Sequence, residues 1–341
     1  MKPGPERILV LRMSGVGDVL WTTPLLRALR RGFPRARIHY VVRQACAPVL
    51  ENNPDVDELL IYRGGGLRAQ LEFLGQIRKR RCDLCLDLVG TPRTAIQSLF
   101  SGARERIGFD FGYRRLFYNR VLSARQANHG HEVEFNLFLL RHLGIEEAGR
   151  ELVFELTPEE KEFRAKAWSQ LGYADKDIVI GLLPTGGWAC KRWPAGCFIE
   201  LGRRALDSDD KKILVFWGSP AEEREAGEIA HGIGRGAAPA PRTALRQMAA
   251  LLSACDAVAG NDTGPLHIAT AFGVPVVSFY GPTSPKAQGP WGCGHRVLRD
   301  ESLDCLVCNR TDCRDPRCMR GITVEAAARA LAAALAGRAV R

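Results

Sequence analysis

The chain has 341 residues, of which 46% are hydrophobic and 25% are charged, a length that favours two domains of ordinary size. This composition excludes a disordered tail protein and a small disulfide scaffold. Lys and Arg outnumber Asp and Glu by 48 to 38, giving +10; splitting near residue 155 leaves +7 (24 minus 17) in the first part and +3 (24 minus 21) in the second. The basic balance indicates an anionic partner, whether nucleic acid, a lipid surface or a phosphorylated small molecule.

Export and membrane signals do not stand out in the sequence. Residues 1–6 are not followed by an apolar segment of the export type, so we expect a cytoplasmic protein. The longest apolar stretches fall far short of the roughly 18–20 residues that a membrane span needs, so any membrane contact is expected to be peripheral. In that compartment the 11 cysteines are expected to be reduced thiols or metal ligands rather than a disulfide framework.

Short apolar runs alternate with helical segments along the whole chain. Continuous apolar strands separated by helices are typical of parallel sheets that are covered on both faces. The fold class is therefore predicted to be α/β, with enough strands for two doubly wound sheets. Strands are predicted at residues 7–11, 38–42, 84–88, 178–183, 212–216, 257–259 and 274–279, and a first helix at 24–31.

A domain boundary is predicted near residue 156. The strand-like segment 151–156 is followed by Thr157, Pro158 and Glu160, which match the N-cap, the first helical position and the third residue of a capping box. We therefore predict one domain over 1–156 and a second over 157–322. In the final segment, 323–341, Thr323 and the alanine-rich residues after it predict a helix over 324–335.

The first candidate site follows the first strand. Gly15 and Gly17 allow the backbone to turn sharply and to approach a ligand, but Leu20 stands where a dinucleotide fingerprint needs a small residue. Asp18 is the candidate for chemistry, because a carboxylate at the mouth of a helix can take the proton of a nucleophile. The same residue type can simply cap the helix that follows, and the sequence leaves both interpretations open.

Two further loops follow predicted strands in the second half. In the first, Thr185, Gly186 and Gly187 lead to Lys191, so that free amides and a cation are available to hold an anion. The alternative is an ordinary glycine loop beside a solvated cationic pair. In the second, the carboxylate of Glu222 can accept hydrogen bonds from ribose hydroxyls, or it can simply favour the first turn of a helix.

The most specific motif surrounds Asp262. It passes from a strand through a turn into a helix, with Asp262 or Thr263 as the cap, a proline in the first turn and a glycine at the end. The amides of Thr263 and Gly264 at a helix N-terminus form a ready site for a diphosphate. His267 either takes part in that site or lies, as a satisfied core histidine, on the inner face of the helix.

Four cysteines lie close together in a polar segment near the C-terminus: Cys305, Cys308, Cys313 and Cys318. Four thiolates in so short a span are able to hold a structural zinc and to stabilise a loop that has no core of its own. The spacing matches no standard zinc finger, whose paired ligands lie about two to four residues apart. Reduced thiols are therefore the alternative.

Taken together, these motifs resemble those of glycosyltransferase family 9, the bacterial heptosyltransferases that add ADP-activated heptose to the lipopolysaccharide inner core. The cysteine segment is similar to one found in many members. The resemblance implies the GT-B fold, in which two Rossmann-like domains with parallel sheets face each other and a C-terminal helix packs back on the first domain. It is carried by Gly17 and Asp18 with Thr22 and Pro24, by 191–194, by Trp217 and Gly218 with Glu222, and by 261–267.

The resemblance also implies a mechanism. The N-terminal domain would bind the acceptor and the C-terminal domain the ADP-heptose, for a single inverting displacement in which Asp18 is the general base. Lys191, with Thr263 and Gly264, would hold the diphosphate and stabilise the charge that develops as ADP leaves, so no cofactor or catalytic ion is expected. Glu222 would contact the ribose. The implied donor-binding set is Gly17, Thr185, Gly186, Lys191, Glu222, Asp262, Thr263, Gly264 and His267, with Asp262 either orienting Lys191 or contacting the sugar.

The expected partners follow from the same resemblance. They are ADP-heptose, an inner-core glycolipid whose acceptor sugar is Kdo or heptose, and the inner-membrane surface, with which the protein would associate peripherally from the cytoplasm. The charge of +7 in the first part then serves acceptor capture and membrane association. One alternative is another GT-B transferase or a nucleotide-sugar epimerase with a different nucleotide, such as a uridine donor. The other, a nucleic-acid-binding protein, is not expected, because the Arg residues are dispersed and only 8% of residues are aromatic.

Overall fold

The computed structural model describes residues 4–13, 15–127 and 130–337, and the chain forms two compact units. The units divide between Glu155 and Leu156, one residue before the predicted boundary. Each unit consists of a parallel β-sheet with helices connecting its strands. The α/β class predicted from the apolar strand pattern is therefore confirmed.

The first unit is built on a six-stranded parallel sheet in the order β3-β2-β1-β4-β5-β6. Because the order reverses between the neighbours β1 and β4, the crevice at their carboxyl ends is a favoured place for a ligand. The strands are β1 (Arg7–Leu11), β2 (Arg37–Arg43), β3 (Glu58–Tyr62), β4 (Leu84–Asp87), β5 (Glu105–Phe109) and β6 (Arg120–Leu122). The helices are α1 (Val16–Leu20), α2 (Thr23–Gly32), α3 (Leu67–Lys79), α4 (Pro92–Ser101), α5 (Ala124–Ala127) and α6 (Glu132–Leu143), with 3-10 turns at Gln44–Val49 and Gly112–Phe117.

The second unit repeats this plan, with a six-stranded parallel sheet in the order β12-β11-β10-β7-β8-β9. Its order reverses between β7 and β10. The strands are β7 (Ile178–Leu183), β8 (Lys211–Val215), β9 (Ala237–Pro239), β10 (Ala257–Asn261), β11 (Val276–Phe279) and β12 (Arg296–Leu298). The helices are α7 (Pro158–Gln170), α8 (Ala195–Ala205), α9 (Pro220–Ile233), α10 (Leu245–Leu252), α11 (Gly264–Ala271), α12 (Pro285–Gln288), α13 (Arg317–Arg320) and α14 (Val324–Ala336), with a 3-10 turn at Ala189–Lys191.

The core explains why these segments form these elements. In β1 the side chains from Ile8 to Leu11 are all fully buried, as expected for a strand covered on both faces. Helix α2 buries Leu25, Leu26 and Leu29 against the sheet and has a basic last turn. Across the described residues, no helix combines the length and the apolar character that crossing a membrane requires.

The segment 151–156 was predicted to be strand-like and is not a strand. Leu152 and Phe154 are buried, but the amide of Val153 donates to the hydroxyl of Thr23 at 3.0 Å rather than to a neighbouring strand. The alternation of apolar residues reflects one-sided burial of an extended segment. Conversely, five strands escaped prediction because they are short or begin with a charged residue: β3, β5, β6, β9 and β12.

The C-terminal helix is grouped with the second unit, and its predicted packing on the first domain stays a prediction. Helix α14 contacts α8 and the strands β10, β11 and β12. Its buried face is made of Ala327, Ala330, Leu331 and Ala334, and small side chains let a helix lie close to a sheet. The indole N–H of Trp193 donates to the carbonyl of Ile322 at 2.9 Å and fixes the start of this segment.

Helix α7 begins with the capping box predicted from the sequence, which makes Thr157→Ala a test of local stability. The hydroxyl of Thr157 accepts from the amide of Glu160 at 3.3 Å, and the Glu160 carboxylate accepts from the amide of Thr157 at 2.8 Å. Because the alanine removes the first bond, we expect the free energy of unfolding to fall by about 1 kcal/mol. Urea denaturation measures this, with Thr157→Ser as the matched control that keeps the hydroxyl. Equal stabilities of the alanine and serine variants would contradict the assignment.

Candidate active site

A pocket opens in the second unit where β7 and β10 end. These strands lie side by side at the reversal of strand order, and the loops that follow them form the walls of a cavity of about 360 Å³. The structure thus brings together three motifs that are far apart along the chain. Seven of the residues singled out in the sequence line the cavity: Thr185, Gly186, Lys191, Glu222, Asp262, Thr263 and Gly264.

The carboxylate of Asp262 lies at the centre of this pocket's polar wall. It pairs with Lys191 Nζ at 2.6 Å and with His267 Nε2 at 3.5 Å, and it accepts from the hydroxyls of Thr283 at 2.8 Å and Tyr280 at 3.2 Å. The residue is only 8% exposed. Burial raises its pKa, but the hydrogen bond from His267 and the charge of Lys191 outweigh burial and hold the pKa well below its ordinary range. Asp262 is therefore a fixed anion that orients Lys191.

Lys191 ends the short 3-10 turn and reaches the cavity from one side. Its ammonium lies 4.6 Å from the centre of the Trp188 ring, a cation–π contact that adds to the Asp262 pair. The fully buried Asn261 ties this loop to the sheet, because its side chain accepts from the amide of Trp193 at 2.9 Å and donates to the carbonyl of Pro184 at 2.6 Å. The position of the Lys191 ammonium is thus set by two strand ends, those of β7 and β10.

The N-terminus of α11 forms the floor opposite Lys191. Thr263 is the N-cap and Gly264 the first helical residue, whose amide has no carbonyl four residues back to donate to. The Thr263 hydroxyl is buried and has no hydrogen-bond partner among the described residues. A side chain at Gly186 would come within 3.1 Å of the Thr263 methyl group, so glycine is what lets the two loops meet. The result is a small concave surface of hydrogen-bond donors.

Arg192 holds the remaining wall; sequence reasoning named it only as part of 191–194 and missed this role. Its guanidinium donates to the carbonyl of Gly186 at 2.8 and 2.9 Å and pairs with Glu222 at 3.2 Å and Glu225 at 3.1 Å. The other oxygen of Glu222 accepts from the amide of Gly218 at 3.0 Å. Lys191 and Arg192 therefore both form ion pairs with carboxylates. The alternative of a solvated cationic pair was wrong.

Asp18 belongs to the first unit, in α1 just after β1. Its carboxylate accepts a hydrogen bond from Arg12 at 2.8 Å. Within the described part of the chain it accepts none from a backbone amide of α1 or α2, so Asp18 does not cap either helix. Gly15 is the N-cap with φ of 84°, and a side chain there would clash with the Asp18 carboxylate. Glycine at this position therefore leaves room for Asp18. Gly17 is buried beside it in α1.

Arg12 is shared by a second carboxylate, that of Glu132 at the start of α6. The two residues are 3.2 Å apart, and Arg12 also donates to the carbonyl of Leu88 at 3.0 Å. Burial and the neighbouring charge of Asp18 raise the pKa of Glu132, whereas Arg12 lowers it without restoring the ordinary value. Sequence reasoning missed both Arg12 and Glu132. Glu132 lies 120 positions after Arg12, so no local pattern joins the two residues.

The sequence model of glycosyltransferase family 9 (heptosyltransferase) matches residues 71–318, which is most of the chain. The chain belongs to glycosyltransferase family 9. It is 27% identical to lipopolysaccharide heptosyltransferase 2 of Escherichia coli over 310 residues, covering 86% of this chain and 88% of that one. It is likewise 27% identical to lipopolysaccharide heptosyltransferase 1 of Pseudomonas aeruginosa over 326 residues, covering 90% and 87%. The resemblance stated from the motifs is confirmed, and the protein is a glycosyltransferase.

Solved structures show that other proteins share the fold of this glycosyltransferase. A family 9 glycosyl transferase from Veillonella parvula superposes with a TM-score of 0.85 at 24% identity, covering 98% of this chain and 99% of that one. The ADP-heptose lipopolysaccharide heptosyltransferase II of Escherichia coli gives 0.78 at 24% identity, covering 97% and 98%. The pair of Rossmann-like parallel sheets predicted from the resemblance is thus the fold of these enzymes.

Two predicted features of this glycosyltransferase do not belong to the pocket. His267 is buried and does not line the cavity, so the core-histidine alternative describes its place, and it reaches the site through Asp262. The cysteine segment forms no group of three or more side chains able to hold a metal within the described residues. Cys318 is buried beneath Gly281, whereas Cys305 and Cys308 are exposed, and zinc binding by this segment stays a prediction.

Sequence reasoning gave no role to the apolar wall of the cavity, although Trp217 belongs to one of the motifs. Met248, Trp188 and Trp217 line it beside Pro265. The indole N–H of Trp217 is already used, because it donates to the carbonyl of Ala240 at 2.7 Å, and this leaves its ring as an apolar surface. The cavity therefore has one wall of charges and amides and another of flat or flexible apolar groups.

The Asp262 ion pair predicts how stability depends on pH. Because the folded protein holds the pKa of Asp262 below its ordinary value of 3.8, ionised Asp262 stabilises the fold above pH 3.8, and this contribution is lost as the pH falls below it. Asp262→Asn should cost about 3 kcal/mol at neutral pH by leaving Lys191 unpaired. The difference from the wild type should shrink by roughly 1 kcal/mol per pH unit below 3.8.

Urea denaturation at a series of pH values measures this difference. The exposed Asp304, whose carboxylate forms no ion pair in the described part of the chain, provides the matched control Asp304→Asn. The control should follow the wild type at every pH. A stability difference for Asp262→Asn that stays constant down to acid pH would contradict the assignment.

Proposed function

We propose that this glycosyltransferase moves heptose from ADP-heptose to the inner core of lipopolysaccharide, with inversion at the anomeric carbon. The observation that carries the proposal is the position of Lys191, fixed 2.6 Å from Asp262 opposite the N-terminus of α11. A cation and free helix amides around one cavity suit the diphosphate of a nucleotide sugar. The family and the relatives named as lipopolysaccharide heptosyltransferases support heptose as the sugar.

The diphosphate lies in this proposal between Lys191 and the amides of α11. The buried Thr263 hydroxyl, which lacks a partner among the described residues, donates to a phosphate oxygen, and the Gly264 amide donates beside it. As the bond between the anomeric carbon and the ADP oxygen breaks, negative charge grows on the diphosphate. These preorganised donors stabilise that charge without a cofactor or a catalytic ion, and Thr185 and Gly186 close the same side.

The nucleoside lies along the apolar wall. Trp188, Trp217 and Met248 offer a surface for a purine ring. Glu222 lines the same cavity, and its carboxylate keeps acceptor capacity for the ribose hydroxyls while Arg192 and the Gly218 amide hold it in place. Glu222 can thus keep its contacts with Arg192 and the Gly218 amide while it accepts hydrogen bonds from the ribose.

Asp18 acts as the general base on the acceptor hydroxyl. One carboxylate oxygen is held by Arg12, and the other has no partner in the described part of the chain and is available for a proton. The hydroxyl oxygen of the acceptor, as its proton passes to Asp18, attacks the anomeric carbon from the side opposite ADP. A new glycosidic bond forms as the bond to ADP breaks, which inverts the configuration.

The acceptor and the place of reaction follow from charge. The first unit carries most of the basic excess, which suits a phosphate- and carboxylate-bearing glycolipid whose acceptor sugar is Kdo or heptose. We accordingly propose a cytoplasmic enzyme that associates peripherally with the inner membrane. The mass of the product formed from ADP-heptose on a series of truncated acceptors identifies the acceptor sugar, and its anomeric coupling constants report inversion.

Replacing the base tests the mechanism. Asp18→Asn should bind ADP-heptose with the affinity of the wild type and lower turnover by at least about 100-fold, because an amide cannot take the acceptor proton. ADP release in the presence of donor and truncated acceptor measures turnover, and calorimetry measures donor binding. Glu146→Gln, which changes an exposed acid of the same unit, is the control and should retain full activity. Near-normal turnover of Asp18→Asn would show that another group is the base.

Nucleotide preference separates the proposal from a transferase or epimerase that uses a uridine donor. ADP should raise the melting temperature of the wild type more than UDP does, since a ligand stabilises only the fold that binds it. Lys191→Met should weaken ADP binding by about tenfold or more, through loss of a charge-assisted contact. Lys286→Met serves as the control, because Lys286 lies in α12 and does not line the cavity. A larger shift with UDP than with ADP would refute the proposed donor.

A further inference from the structure

Helix α3 of the first unit has two apolar faces, although packing on a sheet needs only one. Its inner face buries Phe73 and Ile77. A second stripe at positions 67, 71 and 74 follows the helical repeat and points away from the core, with Leu67 74% exposed and Leu71 57% exposed. An exposed apolar stripe of this kind on a soluble fold marks a contact surface.

The neighbouring helix α4 continues this surface. Ile96, Leu99 and Phe100 share one helical face, and Phe100 is 50% exposed. Five of the ten large apolar side chains that are exposed within the described residues therefore lie on α3 and α4. Between the helices runs a groove of about 390 Å³, lined by Leu71, Leu74, Gly75, Arg78, Leu99 and Phe100.

Cations border this apolar surface at the end of the helices. From Arg63 to Arg104 the chain has eight Lys and Arg residues against three Asp and Glu. Asp87 is buried, Glu72 pairs with Arg68 at 2.9 Å, and Asp83 accepts from two backbone amides, so the acids do little to offset the charge. Near the ends of the two helices, Arg78, Lys79, Arg81 and Arg104 are exposed and form no ion pair in the described part of the chain.

We propose that this α3–α4 patch, made of the exposed apolar side chains of both helices and the four cations beside them, is a docking surface for an anionic lipid bilayer. Apolar side chains enter the boundary between headgroups and acyl chains while Lys and Arg meet lipid phosphates, which is the chemistry of peripheral attachment. The inference rests on the proposed function, since a lipid-linked acceptor gives the enzyme a membrane to dock on.

Charge favours a bilayer over a second copy of the chain as the occupant. In a two-fold dimer the patch meets a second copy of itself, so its four cations would face a surface with the same excess of cations and not an anionic one. Like charges that face each other across an interface oppose association. An anionic bilayer satisfies the apolar and the basic parts of the surface at the same time.

The patch is separate from the proposed base. Arg81 and Arg104 precede the amino ends of β4 and β5, whereas Asp18 follows the carboxyl end of β1 in the same parallel sheet. The cations thus lie toward the opposite edge of the sheet from Asp18. Substitutions in the patch can therefore change attachment while leaving the reacting groups of this unit in place.

Vesicle sedimentation of the full chain tests the inference. The wild type should sediment with vesicles of phosphatidylglycerol and phosphatidylethanolamine and stay in solution with phosphatidylcholine alone. Leu71→Ser combined with Phe100→Ser should lower the partition coefficient by about tenfold or more, because two apolar side chains no longer enter the lipid. Lys79→Gln combined with Arg81→Gln should weaken binding and flatten its dependence on salt. Val297→Ser, which changes an exposed apolar side chain on β12, is the matched control and should bind as the wild type does.

Melting temperatures of all variants and turnover on an acceptor without acyl chains accompany the sedimentation. Unchanged melting and turnover with lost sedimentation support the docking surface. Sedimentation of the Leu71 and Phe100 variant at the wild-type level overturns it, as does equal binding of the wild type to neutral vesicles. A wild-type dimer that dissociates in this variant overturns it in favour of a second copy. Absence of heptose transfer from the wild type refutes the proposed function instead, and the sedimentation result is read independently of it.

Discussion

The carboxylate of Asp262 is buried, and a buried charge is costly unless a counter-ion and hydrogen bonds compensate it. Lys191, His267, Thr283 and Tyr280 all supply that compensation, and they come from three different segments of the second unit. Satisfying one anion therefore fixes the loop after β7, the start of α11 and the loop after β11 relative to one another. The need to compensate the charge of Asp262 therefore sets the shape of the pocket. It also leaves one side of the Lys191 ammonium facing the cavity.

The first unit contains a buried cation, whose charge must be compensated by carboxylates. Arg12 is 8% exposed and meets two carboxylates, those of Asp18 and Glu132, together with the carbonyl of Leu88. Burial lowers the pKa of Arg12, but the two carboxylates outweigh burial and raise it, so the guanidinium stays charged. Asp18 is held through one oxygen only. In both units a charged group that the proposed chemistry uses is placed by a buried partner of opposite sign.

Several features could be predicted because they depend on neighbours in the chain. The apolar runs at 7–11 and 178–183 require burial on both faces, and the Thr157 capping box is a contact over three residues. The short strands β6 and β12 could not be predicted, because only pairing with an adjacent strand makes them strands. The motif around Asp262 identified a site, whereas Arg192 was missed because its partner Glu222 lies 30 residues away.

The sequence by itself determined the class of the fold, the order of the motifs and the family, since burial periodicity, turn residues and helix caps are local properties. Only the tertiary structure decided that Asp262 orients Lys191, that Arg12 and not a helix amide holds Asp18, and that α14 belongs to the second unit. It also decided which apolar side chains stay outside the core on α3 and α4. These outcomes depend on which distant segments pair with a buried charge or cover an apolar surface. Such contacts form only when the sheets assemble, so no local stretch of sequence specifies them.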